Sequence, residues 1–214
     1  MIRVLNLILT FLLPSRVVNI YKKQRDIMRL RKWELSGCPV PPPNCVKQFV
    51  VAKYRDEYYH KLFIETGTYK GEMIESQIDR FERIISIELD YNLYLEAKKK
   101  FSGSRQVRIL HGDSAKVIRE VLSQVNEPAI FWLDAHYSGG VTAKGDKESP
   151  ILEELDAILD TKFDNHVILI DDARCFDGTK DYPTLESLKE FLRLKNSKYS
   201  IRINNDIICC ERES

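Results

Sequence analysis

Residues 61–90, KLFIETGTYKGEMIESQIDRFERIISIELD, constrain the fold more than any other stretch of this chain. The apolar run Leu62 to Ile64 predicts a buried strand, and a sharp turn follows through Glu65-Thr66-Gly67-Thr68-Tyr69-Lys70-Gly71. A helical stretch opens at about Glu72, and a second apolar strand, Ile84 to Ile87, ends in Glu88. Strand, glycine turn, helix, strand and terminal acid compose one βαβ unit, which pairs its strands in parallel through a right-handed crossover. Gly67 and Gly71 lack a Cβ, so the turn can take positive φ and bring backbone close to a ligand. Glu88 comes 21 residues after Gly67, near the spacing of roughly 20 at which such an acid meets ribose hydroxyls. The loop reads E-x-G-x-x-x-G in place of G-x-G-x-x-G. An acid at its start repels a pyrophosphate and suits a cationic or amino-acid-bearing ligand.

The rest of the chain repeats the alternation. Tyr91 to Phe101 predicts a helix, and Val107 to Leu110 a third strand ending in His111-Gly112-Asp113-Ser114. A helix over Ala115 to Ser123 follows, with Asp113 or Ser114 suited to its N-cap. Ala129 to Leu133 is the fourth strand, and Asp134-Ala135-His136-Tyr137-Ser138-Gly139-Gly140 leaves its carboxyl end. Ligand crevices of doubly wound sheets lie beyond those ends, so Asp134 and His136 are the expected reacting groups. Residues 139–150 read as a loop over the site, and Ile151 to Leu159 as a helix whose Glu153, Glu154 and Asp156 form a solvated face. His166 to Ile170 is the fifth strand, closing in Asp171-Asp172-Ala173-Arg174. A helix over Thr184 to Leu194 and a hairpin of Ser200 to Ile203 and Asp206 to Glu211 finish the chain.

E-T-G-T-Y-K-G, I-E-L-D and H-G-D-S together resemble the first three motifs of class I S-adenosylmethionine-dependent methyltransferases. That resemblance implies an α/β, doubly wound, Rossmann-like seven-stranded sheet with helices on both faces and a terminal antiparallel hairpin. It also implies a cofactor site of Glu65, Thr66, Gly67, Thr68, Gly71, Glu88, Asp113, Ser114 and Asp134, with His136 and Asp134 as catalytic residues. Asp134 with the Asp171-Asp172 pair is similar to the Mg²⁺ site of metal-dependent O-methyltransferases of the catechol and macrocin type and of the cephalosporin hydroxylase-like group. The D-A-H here, in place of D-G-D or D-A-D, departs from that pattern, and so does Arg174 after the acidic pair. A helix cap at Asp171-Asp172 is the alternative to a metal. A methyltransferase acting on a small-molecule or glycan hydroxyl is the function implied. Its rivals are a hydroxylase-like enzyme on the same fold, a dinucleotide-dependent dehydrogenase, and a non-catalytic S-adenosylmethionine-binding partner.

Length suits one catalytic domain, over residues 47–214, behind an N-terminal arm and Pro-rich linker over residues 1–46. The net charge of +1 gives no case for a nucleic-acid partner. It is unevenly spread: residues 1–34 carry eight Lys/Arg against Asp26 and Glu34, a net +6, so the remainder is about −5. Val4 to Leu13 is apolar but too short to span a bilayer, which takes roughly 20 residues. The arm has two readings, a helix packed on the domain or on a second subunit, and a peripheral membrane contact through residues 1–32. The five cysteines show no metal-ligand spacing and fit reduced thiols in a cytoplasmic enzyme, the alternative being a Cys38–Cys45 pair across the proline run in an oxidising compartment.

Overall fold

The computed structural model describes residues 15–134 and 149–213. It divides into two compact units, residues 1–47 and residues 48–214, at a point inside one helix.

In the first unit, α1 (Ser15–Leu35) is followed by a proline stretch and by the start of α2 (Asn44–Tyr58). The sequence predicts an extended linker over residues 36–46, and the structure shortens it, because the helix begins directly after Pro43, with Val46 N donating to Pro43 O at 2.8 Å. Trp33 and Leu30 of α1 pack on Cys45 and Val46, and Trp33 Nε1 donates to Pro39 O at 2.8 Å.

The second unit is a seven-stranded sheet in the order β3-β2-β1-β4-β5-β7-β6. Its elements are β1 (Leu62–Thr66), α3 (Glu72–Gln77), β2 (Arg83–Glu88), α4 (Tyr91–Lys100), β3 (Val107–His111), α5 (Ser114–Ser123) and β4 (Ala129–Leu133). They continue with α6 (Ile151–Leu159), β5 (Val167–Ile170), a 3₁₀ turn (Ala173–Cys175), α7 (Leu185–Lys195), β6 (Tyr199–Asn204) and β7 (Ile207–Arg212). Strands β1 to β5 run parallel, and β7 lies antiparallel against β5 and β6. This is the doubly wound sheet with a terminal hairpin that the sequence predicts.

Successive strand residues point to opposite faces, and here both faces are covered. Leu62, Ile64, Phe131, Leu133, Ile168 and Ile170 pack under Ile118 of α5, Leu155 of α6 and Leu188 of α7. Phe63, Ile130, Trp132, Val167 and Leu169 face Val50, Val51 and Tyr54 of α2 and Ile74 of α3. That is why the central strands are apolar without alternation. The chain switches direction between β1 and β4, so the carboxyl ends of these neighbouring strands diverge into a crevice.

Candidate active site

Four backbone hydrogen bonds carry the parallel ladder one step past the strand ends. Gly67 N donates to Ile87 O at 2.9 Å, Gly112 N to Glu88 O at 2.9 Å, Asp134 N to Thr66 O at 3.1 Å and Asp171 N to Leu133 O at 3.0 Å. They hold the loops after β1, β3, β4 and β5 side by side.

The β1 loop turns as its glycines allow. Gly67 has φ +83° and Gly71 φ +67°, and Gly71 N closes the turn on Thr68 O at 2.8 Å. A Cβ on Gly71 would stand 2.6 Å from the Phe101 ring. Tyr69, at φ 47°, presents its N–H to Glu88 Oε2 at 2.7 Å, while Asp90 N donates to Glu88 Oε1 at 2.9 Å. Two backbone donors therefore fix the carboxyl of Glu88, and each oxygen keeps a further lone pair for a ribose hydroxyl. Burial pushes the Glu88 carboxyl up, against the pull of those N–H groups.

Beneath the loop lies a polar chain that the sequence shows only in part. Thr68 Oγ1 meets Ser86 Oγ at 2.6 Å, and Ser86 Oγ donates to Glu65 Oε2 at 2.5 Å. Glu65, Thr68 and Ser86 are all buried. Burial raises the Glu65 carboxyl to about 8; the Ser86 hydroxyl opposes this, while the charges of Asp134 and Glu88 add to it. Near neutral pH the acid is largely protonated and ready to ionise when a cation arrives.

A second buried acid departs from expectation. Glu154 of α6 is 1% exposed, not part of a solvated face. Burial lifts its carboxyl to about 7, moderated by the hydroxyls of Ser114 and Thr66. Thr66 Oγ1 and Glu154 Oε1 nevertheless lack a partner at good hydrogen-bonding distance and angle. The signal was in the spacing: Glu154 sits three residues after Ile151 and four before Ile158, on the buried face of the helix. A cavity of about 20 Å³, enough for one water, is lined by Glu154, Asp134, Asp171 and Tyr182. Burial and then nearby thiol and acidic groups, Cys175, Asp172, Asp134 and Asp171, push the Tyr182 phenol up.

Asp113 caps α5, accepting from Ala115 N at 3.1 Å, and Ser114 is the residue turned toward Glu154. His111 stands against the rings of Tyr91 and Tyr94, with Nε2 at 3.1 Å from Leu89 O. Tyr58 donates to Glu211 Oε2 at 2.5 Å, and Gln48 of α2 reaches Glu72 O, at 3.2 Å.

Of the acids expected to hold Mg²⁺, Asp134 and Asp171 line the cavity beside Glu154, while Asp172 is paired with an arginine. Asp171 Oδ1 accepts from Asp172 N at 2.8 Å, and Asp172, in the left-handed region at φ 57°, accepts from Arg174 Nη1 at 2.8 Å. Arg174 also pairs with the buried Asp206, which accepts from Arg174 N at 2.9 Å. Among the described residues no group of three His, Cys, Asp or Glu is placed to hold a metal ion. Asp172 as it stands does not fit the expected ligand set. His136 and residues 139–148 of the expected lid lie outside the described residues.

No protein-family model matches the chain, and no curated protein matches it in sequence. Solved structures match its fold. An O-methyltransferase from Bacillus cereus in complex with S-adenosylhomocysteine gives a TM-score of 0.60 at 13% identity, over 96% of this chain and 95% of that one. The S-adenosylhomocysteine-bound methyltransferase PaMTH1 of Podospora anserina gives 0.57 at 13% identity, over 95% and 99%. TomG, an O-methyltransferase of Streptomyces achromogenes in complex with S-adenosylmethionine, gives 0.56 at 13% identity, over 89% of each chain. At these identities the likeness is one of fold.

Proposed function

We propose that this chain is an S-adenosylmethionine-dependent methyltransferase acting on an oxygen nucleophile of a small molecule or glycan. One observation carries the reading. On a sheet of the methyltransferase order, the β1 glycine loop stands between two buried acids, Glu65 below and Glu88 beside it. Glu88, oriented by Tyr69 N and Asp90 N, would hold the ribose hydroxyls. Glu65 would ionise against the ammonium of the methionine part, and the Asp113-Ser114 turn would border the adenine. The donor, when bound, supplies a methyl group already activated by its positive sulfur.

What remains for the chain is alignment of the acceptor oxygen and removal of its proton. Asp134, beside the β1 loop, would orient the acceptor, and His136, two residues on, would take the proton, with a reference pKa of about 6.5. The Mg²⁺ assistance implied by the macrocin-type resemblance would require Asp172 to leave Arg174, and no step is assigned to it.

Calorimetric titration with S-adenosylhomocysteine, with and without Mg²⁺ and beside Glu88→Ala, tests the cofactor. Micromolar binding that weakens at least about tenfold in Glu88→Ala is expected. No binding in any condition would leave the fold without the activity.

A further inference from the structure

Helix α1 carries two apolar faces, and among the described residues only one of them is covered. Leu30 and Trp33 pack on Cys45 and Val46. On the other side Tyr21, Met28 and Leu35 are 53%, 63% and 90% exposed. They recur every seven residues, which returns an α-helix to within about 20° of the same direction, so they form a stripe about 21 Å long. Arg25 and Lys32 follow Tyr21 and Met28 by four residues and Arg31 follows Met28 by three, so cations flank the stripe. Between Ser15 and Leu35 the helix has seven Lys/Arg against Asp26 and Glu34, a net +5.

A second copy of the helix is a poor occupant. A two-stranded coil with Tyr21, Met28 and Leu35 at one core position would place Val17, Gln24 and Arg31 at the other, and two of those are polar. A lipid surface needs no such second row. It takes a single apolar stripe at the depth of the acyl chains, while flanking Lys and Arg extend to anionic headgroups. Among the described residues no helix is long and apolar enough to cross a membrane.

The geometry points to α1 as a surface-docking helix for anionic lipid, with Tyr21, Met28 and Leu35 inserted and Lys22, Arg31 and Lys32 on the headgroups. The placement is independent of the methyl-transfer reading, since none of these residues belongs to the crevice.

The test is cosedimentation of the full chain with vesicles of phosphatidylcholine alone and of equimolar phosphatidylcholine and phosphatidylglycerol. Binding to the mixed vesicles only, weakened by salt, is expected. Met28→Asp with Leu35→Asp, and separately Lys22→Gln with Arg31→Gln and Lys32→Gln, should each weaken it by about tenfold or more. All of these side chains are exposed and Val4 to Leu13 is untouched, so unchanged helicity by circular dichroism isolates the α1 face. Equal binding to both vesicle types, undiminished binding of the Asp variant, or self-association of α1 without vesicle binding would each overturn the assignment.

Discussion

Ser86 Oγ donates a 2.5 Å hydrogen bond to the buried carboxyl of Glu65, and so a hydroxyl in the middle of β2 supports an acid at the end of β1. The acid is held at about 8, so it carries its proton near neutrality. A cationic ligand that ionises it must release that proton, and its affinity must rise with pH until about 8. Titration of S-adenosylhomocysteine in buffers of different ionisation heat should show proton release near pH 7. Glu65→Gln should abolish the release and weaken binding by about tenfold or more. Affinity that is flat between about pH 6 and 8 would remove Glu65 from the ligand.

Glu154 gives a prediction about stability. Its folded value is raised to about 7, so the stability tied to the neutral acid is full below the ordinary carboxylate value and is lost as pH rises through about 7. Glu154→Gln keeps shape and polarity without the charge, so it should lose that pH slope and equal or exceed the parent at about pH 8.5. Glu154→Ala should cost about 1–3 kcal/mol, since it strips Ser114 of a partner and enlarges the cavity. Urea unfolding at about pH 6 and 8.5 separates the cases.

These two acids show what was legible in the sequence and what was not. Apolar runs closing in a polar residue locate parallel strands, because strands buried on both faces have no reason to alternate. Glu65, Glu88, Asp134 and Asp171 could therefore be placed at strand ends from sequence alone. Glu154 was missed because a charged residue in a first helical turn is ordinarily solvated. Its spacing from Ile151 and Ile158 marks the buried face of α6, and the packing of α6 beside α5, a neighbour relation set by topology, encloses it. The pairing of Asp172 was not legible for a related reason: its partner Arg174 also meets Asp206, a hairpin residue 34 positions beyond Asp172 in the chain.

Gly71 is restricted twice, by φ +67° and by the Phe101 ring 2.6 Å from any added Cβ. Gly71→Ala should cost about 1–3 kcal/mol and weaken S-adenosylhomocysteine binding as the loop shifts. Phe101→Leu in the same chain should recover the steric part and leave the backbone part. Full recovery, or no loss in the single variant, would contradict this account.

Arg174 holds Asp172 and Asp206, whose side chains are only 8% and 3% exposed. Removing one member of such a set leaves buried carboxylates without compensation. Arg174→Ala should destabilise by about 2–4 kcal/mol, the discount reflecting the partial exposure of the guanidinium. Asp206→Asn, which preserves the bond from Arg174 N, should cost less. Thermal unfolding of the two variants gives the order, and a reversed order would mean that the hairpin is held mainly by other contacts.

At the opposite end of the sheet, His166 Nδ1 accepts from Ala129 N at 3.0 Å, which leaves the proton on Nε2, 2.9 Å from Thr161 Oγ1. Burial first, and then the neighbouring His60, lowers this imidazole to about 4, so it is neutral throughout the physiological range. The unfolded chain protonates it at its ordinary value of about 6.5, so stability is full above that pH and falls as pH drops toward 4. The loss approaches about 3 kcal/mol, from a difference of roughly 2.5 pH units. Glu65 and Glu154 titrate with the opposite sign between about pH 4.5 and 8, so the net curve of the parent protein understates the effect of His166. The difference between parent and His166→Asn isolates it, because asparagine can still accept from Ala129 N but does not titrate. That difference should shrink steadily from about pH 6.5 to 4. A constant difference would show that His166 is protonated in the folded state, with its bonds to Ala129 and Thr161 rearranged.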